Sequence, residues 1–176
     1  MTRRTVAALA LLWAAAQPTP VQSQEAAWKP FQELNFLVGS WSGNAESGGR
    51  VGGRVARCSV EMSGHYLVQR SNTIFPAQAG QPEESNEEIG YFFYDREKRK
   101  YLAHFYYSTA IAGIYDVEFP AEGSVRLVSS QLYNYDPGAR LRMTMVKKGD
   151  ELQYQLEVAQ SGKDFVSYVT SKLSKK

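Results

Sequence analysis

From Phe36 onward the chain alternates apolar and polar residues in short runs, and no segment longer than ten residues shows helical periodicity. The first run, Phe36-Leu37-Val38-Gly39-Ser40-Trp41-Ser42-Gly43, pairs a large indole with two glycines. Gly39 allows a bend or close backbone approach, and Gly43 leaves no Cβ in the way of a crossing strand. A mostly buried indole must still find an acceptor for its N–H. This run is read as the opening strand, plugging one end of a β-structure. Residues 43 to 53 hold five glycines, read as a flexible loop or a glycine-kinked hairpin. Arg54 to Met62 then places Ala56, Cys58, Val60 and Met62 on one face and Arg57, Ser59 and Glu61 on the other.

Strands are predicted next over His65 to Thr73, Ile89 to Tyr94, Tyr101 to Tyr107, Gly113 to Phe119, Val125 to Tyr133, Leu141 to Met145, Leu152 to Val158 and Phe165 to Leu173. Their connections carry turn chemistry: Ser63-Gly64, the charged run Asp95 to Lys100, Ala121-Glu122-Gly123, Asp136-Pro137-Gly138, Lys148-Gly149-Asp150 and Ser161-Gly162-Lys163. Pro76 to Glu84 is the longest polar loop. Segments joined mainly by tight turns predict an antiparallel meander, which removes its exposed edges by closing. The expected fold is therefore all-β, an up-and-down barrel of about ten strands, with a sandwich as the alternative.

The first 23 residues change the picture of what is finally folded. Arg3 and Arg4 precede the apolar run Val6 to Ala16, and Val21 and Ser23 are small residues at positions a signal peptidase reads. The run is shorter than the roughly 20 residues a membrane helix needs. Residues 1 to 23 are therefore read as a signal peptide, 24 to 33 as a linker closing one end, and 34 to 176 as the barrel, in the periplasm or secreted, with no membrane insertion after cleavage. Removing the two arginines leaves 18 basic residues against 18 acidic ones. A neutral domain carries no electrostatic footprint for nucleic acid. Cys58 is the sole cysteine, so no internal disulfide is possible, and its place in a strand suits a small buried hydrophobe.

Candidate chemistry is sparse. His65 and His104 are the only histidines and lie in different strands, too few for a histidine metal site. Ser108, Ser129 and Ser130 lie in no Gly-x-Ser-x-Gly context, and Glu87 and Glu88 point to opposite faces. Glycines 48, 49, 52 and 53 lack the Lys-Ser/Thr that a phosphate loop requires. No catalytic residue is assigned, and an enzyme reading rests on fold analogy alone. What remains is the aromatic wealth of the middle strands. Trp41, Tyr91, Phe93, Tyr101, His104, Phe105 and Tyr115 are the candidate ligand-binding residues, lining a cavity for a small, largely apolar molecule.

The opening Gly39-Ser40-Trp41, followed by a meander, resembles the calycins, among them the lipocalin, fatty-acid-binding and nitrobindin-like barrels. The stretch from Lys100-Tyr101 to Gly113, the Asp136-Pro137 and Lys148-Gly149-Asp150 turns and the lysine-rich last strand are similar to an exported bacterial family of unknown function with a lipocalin-like barrel. Gly39-Ser40-Trp41-Ser42-Gly43 also resembles the Gly-x-Trp-x-Gly of nitrobindin-like haem-binding barrels. That resemblance implies a histidine on the last strand as the iron ligand, where this chain has Tyr168. The more apolar face of that strand holds Phe165, Ser167, Val169, Ser171 and Leu173, so Tyr168 is expected to face outward. No cofactor is predicted, and haem is disfavoured. Two alternatives stand beside the ligand binder: a haem protein, and an envelope interaction domain built on a filled barrel.

Overall fold

The computed structural model describes residues 31–78 and 80–176. The expected signal peptide and most of the linker lie outside the described residues. A short 3-10 turn, Asn35–Leu37, leads into ten strands: β1 (Gly39–Ser47), β2 (Arg50–Glu61), β3 (Tyr66–Phe75), β4 (Glu84–Asp95), β5 (Lys100–Tyr107), β6 (Ala112–Glu118), β7 (Ser124–Tyr133), β8 (Arg140–Lys148), β9 (Glu151–Ala159) and β10 (Val166–Lys175). Each pairs antiparallel with its neighbours in sequence, and β10 returns to β1, closing an up-and-down barrel. The closing seam runs from Trp41 opposite Lys175 to Glu46 opposite Thr170, and the Lys176 N–H donates to the Ser40 carbonyl at 2.9 Å.

The glycine-rich stretch is a hairpin and no flexible loop. Ser47 pairs with Arg50 across Gly48-Gly49, both at positive φ, the backbone a two-residue turn between twisted strands requires. Two more glycines here mark close approaches within extended strands. A Cβ on Gly43 would stand 2.0 Å from the Lys172 carbonyl oxygen, and one on Gly52 would stand 2.1 Å from that of Ile74.

One end of the barrel is closed from below by the segment that precedes β1. Phe31, Leu34 and Leu37 are buried there, and the Trp41 indole donates to the Leu37 carbonyl at 2.8 Å. The Tyr101 hydroxyl receives the Phe31 N–H at 3.2 Å and donates to Glu33, which fastens this plug to β5. Above it the interior is packed: Trp41, Phe92, Phe105, Tyr115, Leu127, Met143 and Met145 are fully buried. Gly90, opposite Phe105, makes room for that ring, since a Cβ there would come within 2.4 Å of it.

Val60 and Met62 depart from the face they share in sequence with Ala56 and Cys58. Pairing between β1 and β2 ends at Gly39 and Cys58, so β2 runs on beyond its neighbour and carries both side chains past the rim into solvent. On β10 a bulge between Ser167 and Val169 displaces Tyr168 from the regular alternation. Val169, Ser171 and Leu173 face inward as expected, and Tyr168 stands half exposed at the barrel mouth.

The two glycines of this seam region separate steric from conformational need. Gly43→Ala should destabilise the barrel by about 3 kcal/mol, because its methyl meets backbone that only a shift of β10 can clear. Gly53→Ala, with open space around its Cβ position, should stay within about 0.5 kcal/mol of the parent. Urea denaturation of the two variants side by side measures the difference.

Candidate functional site

At the end opposite the plug, the interior holds an ion pair. Arg54 on β2 and Glu88 on β4 are both almost fully buried and in contact. The strand between them, β3, explains how they meet: Thr73 is opposite Arg54 and Ser71 is opposite Glu88. Two short polar side chains on β3 let two long charged ones reach across it. Arg54 Nη1 donates to Thr73 Oγ1 at 2.7 Å and Nη2 to Ser71 Oγ at 3.0 Å. Glu88 Oε1 accepts from Ser71 Oγ at 2.5 Å and Gln69 Nε2 at 3.3 Å, as well as from Arg54. A buried pair is tolerable when such bonds satisfy the remaining donors and lone pairs.

Aromatic side chains complete the surround. The Arg54 guanidinium lies over the Tyr154 ring, 4.0 Å from its centroid. Tyr107 and Tyr115 share a hydrogen bond of 2.9 Å between their hydroxyls. Burial opposes the charge on Arg54, but the adjoining Glu88 carboxylate outweighs it and holds the guanidinium above its ordinary value. Burial likewise pushes up the phenols of Tyr107, Tyr115 and Tyr154, and the negative charge of Glu88 adds to it. All three are neutral hydrogen-bonding groups at physiological pH. Cys58, a buried thiol near the same cluster, is pushed up to about 12 by burial. It is therefore protonated and no nucleophile.

Between this charged floor and the mouth lies a cavity of about 150 Å³. Its walls include Phe75, Ile111, Leu141, Leu156, Val158 and Val169, with Tyr135 and Tyr168 toward the opening. The walls are mostly apolar, with Asn86 and Thr109 among them, and the floor is polar, an arrangement that orients a small molecule by one end. Among the described residues, no group of three or more His, Cys, Asp or Glu side chains could hold a metal ion.

The seven residues singled out from the sequence fall into three places. Trp41, Phe105 and Tyr115 face the interior, where they fill the space between plug and cavity. Tyr101 also faces inward but belongs to the plug. Tyr91, Phe93 and His104 lie on the outer wall, where Tyr66 meets Tyr91 and Phe93, and Phe93 meets the His104 ring edge-on at 5.1 Å. Partial burial there lowers His104 below its ordinary value. Sequence reasoning missed Arg54, Glu88, Tyr107 and Tyr154 as a cluster. A signal existed: Arg54 is in phase with Ala56 and Cys58, and Glu88 with Gly90 and Phe92, so each charge sits on the inward face of its strand.

No known family model matches this chain, and no curated protein matches it in sequence. In three dimensions it is similar to the crystal structure of Rv2717c from M. tuberculosis, with a TM-score of 0.61 over 83% of this chain and 96% of that one. Identity between the two is 17%, so the likeness is one of fold.

The ion pair makes a specific demand on stability. Arg54→Met, which strands a buried carboxylate, should cost about 3–5 kcal/mol, and adding Glu88→Leu to the same chain should recover most of that loss. Chemical denaturation of the single and double variants tests this. A double variant no more stable than the single one would show that the two charges act separately.

Proposed function

We propose that this is an exported, non-catalytic barrel that binds a small, largely apolar molecule in the cavity at its open end. The observation that carries the reading is the division of the interior: aromatic and methionine side chains fill the plugged half, while the other half keeps a largely apolar-walled space above a buried ion pair. A cavity of this size holds a benzene-sized occupant. Export is supported by the basic N-terminus and short apolar run of the sequence.

Haem, which the nitrobindin-like resemblance raises, does not fit these residues. No histidine or cysteine lines the cavity, and Tyr168 is the group nearest the expected ligand position. Its phenol is raised by burial and by the negative charge of Glu84, the reverse of what a phenolate ligand to ferric iron needs. A macrocycle also exceeds a space suited to one ring.

A second reading, an envelope interaction domain, is favoured by one feature, the outer-wall aromatic group of Tyr66, Tyr91, Phe93 and Tyr106. Large aromatic side chains gathered on an outer surface are suited to a partner.

Two measurements separate these readings. Toluene should raise the melting temperature of the mature protein and perturb methyl resonances of Leu156, Val158 and Val169, while Val169→Phe, which fills the cavity, should melt normally and lose the response. No response in the parent would leave the interaction reading in possession. Hemin titration should give no stoichiometric Soret band, and a band abolished by Tyr168→Phe would reinstate haem.

A further inference from the structure

If the open-end cavity takes up a small molecule, as proposed above, its own groups dictate which kind. Among the described residues Arg54 is the one lining cation and Glu88 the one lining anion, and the two neutralise each other in contact. A carboxylate entering the cavity would lie beside Glu88 with Arg54 already engaged, and an ammonium would meet Arg54 on the same terms. At this buried floor, an uncompensated charge carries a desolvation penalty. Charged ligands are therefore rejected.

The polar floor nonetheless has unmet capacity. Arg54 spends Nη1 on Thr73 and Nη2 on Ser71 and Glu88, and its Nε has no hydrogen-bond partner. The Tyr154 hydroxyl, whose ring lies beneath the same guanidinium, finds only Arg54 itself, at a geometry short of a full hydrogen bond. Both atoms are covered in the present packing, so an incoming group must shift the Tyr154 ring slightly to reach them. A buried donor without an acceptor costs free energy. A ligand that supplies the acceptor recovers it.

We infer that the occupant is an uncharged molecule the size of one six-membered ring with a small substituent, bearing a hydrogen-bond-accepting oxygen that takes N–H and O–H from Arg54 and Tyr154. Its ring lies among Leu156, Val158 and Val169. Simple amides, ketones and esters of cyclic hydrocarbons belong to this class.

Benzamide and benzoate test the charge argument, being nearly identical in shape and different in charge. In calorimetric titration of the mature protein at neutral pH, benzamide should bind at least about tenfold more tightly than benzoate. Glu88→Gln, which leaves the Arg54 charge uncompensated, should raise benzoate affinity at least about tenfold relative to benzamide. Tyr154→Phe removes only the hydroxyl and keeps the ring; it should weaken benzamide at least about threefold while toluene binds as before. Benzoate binding the parent as well as benzamide, or Tyr154→Phe weakening both neutral probes alike, would overturn the inference and leave the cavity reading intact. Failure of all three probes to bind the parent would overturn the cavity reading and this inference with it.

Discussion

A guanidinium and a carboxylate held together inside a closed sheet are tolerable only if every strand around them keeps its register. A slip of one residue on β2 or β4 would turn Arg54 or Glu88 outward and leave the other charge buried alone. Side chains of β3 hydrogen-bond both members of this pair, and β9 supplies the Tyr154 face against it. Hydrophobic burial favours many registers of alternating strands; the buried charges accept one.

That constraint also explains why the barrel is unevenly filled. Where the chain enters, Phe31, Leu34, Leu37 and Trp41 seal the end with side chains that need no partner beyond one carbonyl for the indole. Where the charges lie, the space is taken by hydroxyls and guanidinium whose bonds fix their positions. Apolar residues nearer the mouth cannot collapse onto that polar layer without covering it unsatisfied. The cavity is the volume left between a hydrogen-bonded polar floor and a ring of strand ends.

The architecture was legible from residue order alone because strand alternation and turn chemistry agree along the chain; β8 and β9, with Leu141, Met143 and Met145 facing inward beside Leu152 and Tyr154, show it most plainly. The interior set was less so. In Tyr91-Phe92-Phe93-Tyr94 both faces are aromatic, and a period of two does not say which points inward; Phe92 does, behind Gly90, and Tyr91 and Phe93 do not. Arg54 and Glu88 stand 34 residues apart and on strands that never pair. Their meeting depends on two registers against β3, which no local pattern encodes. Tyr168, expected to face outward, is half exposed; its reach to the cavity mouth was not legible, since a bulge breaks the alternation on which any phase argument stands.

The seam between β1 and β10 makes completion of the sheet an all-or-none matter in time. Nine strands can pair as they emerge, each with the one before it, yet β1 keeps a bare edge until the last ten residues of the sheet arrive. Contacts such as Trp41 with Lys175, and Ser40 with Lys176, join the two ends of the described chain and carry the largest loop-closure entropy in the molecule. A chain still lacking β10 is therefore an open ribbon with two unpaired edges, and its solubility over that interval depends on how quickly β10 is delivered.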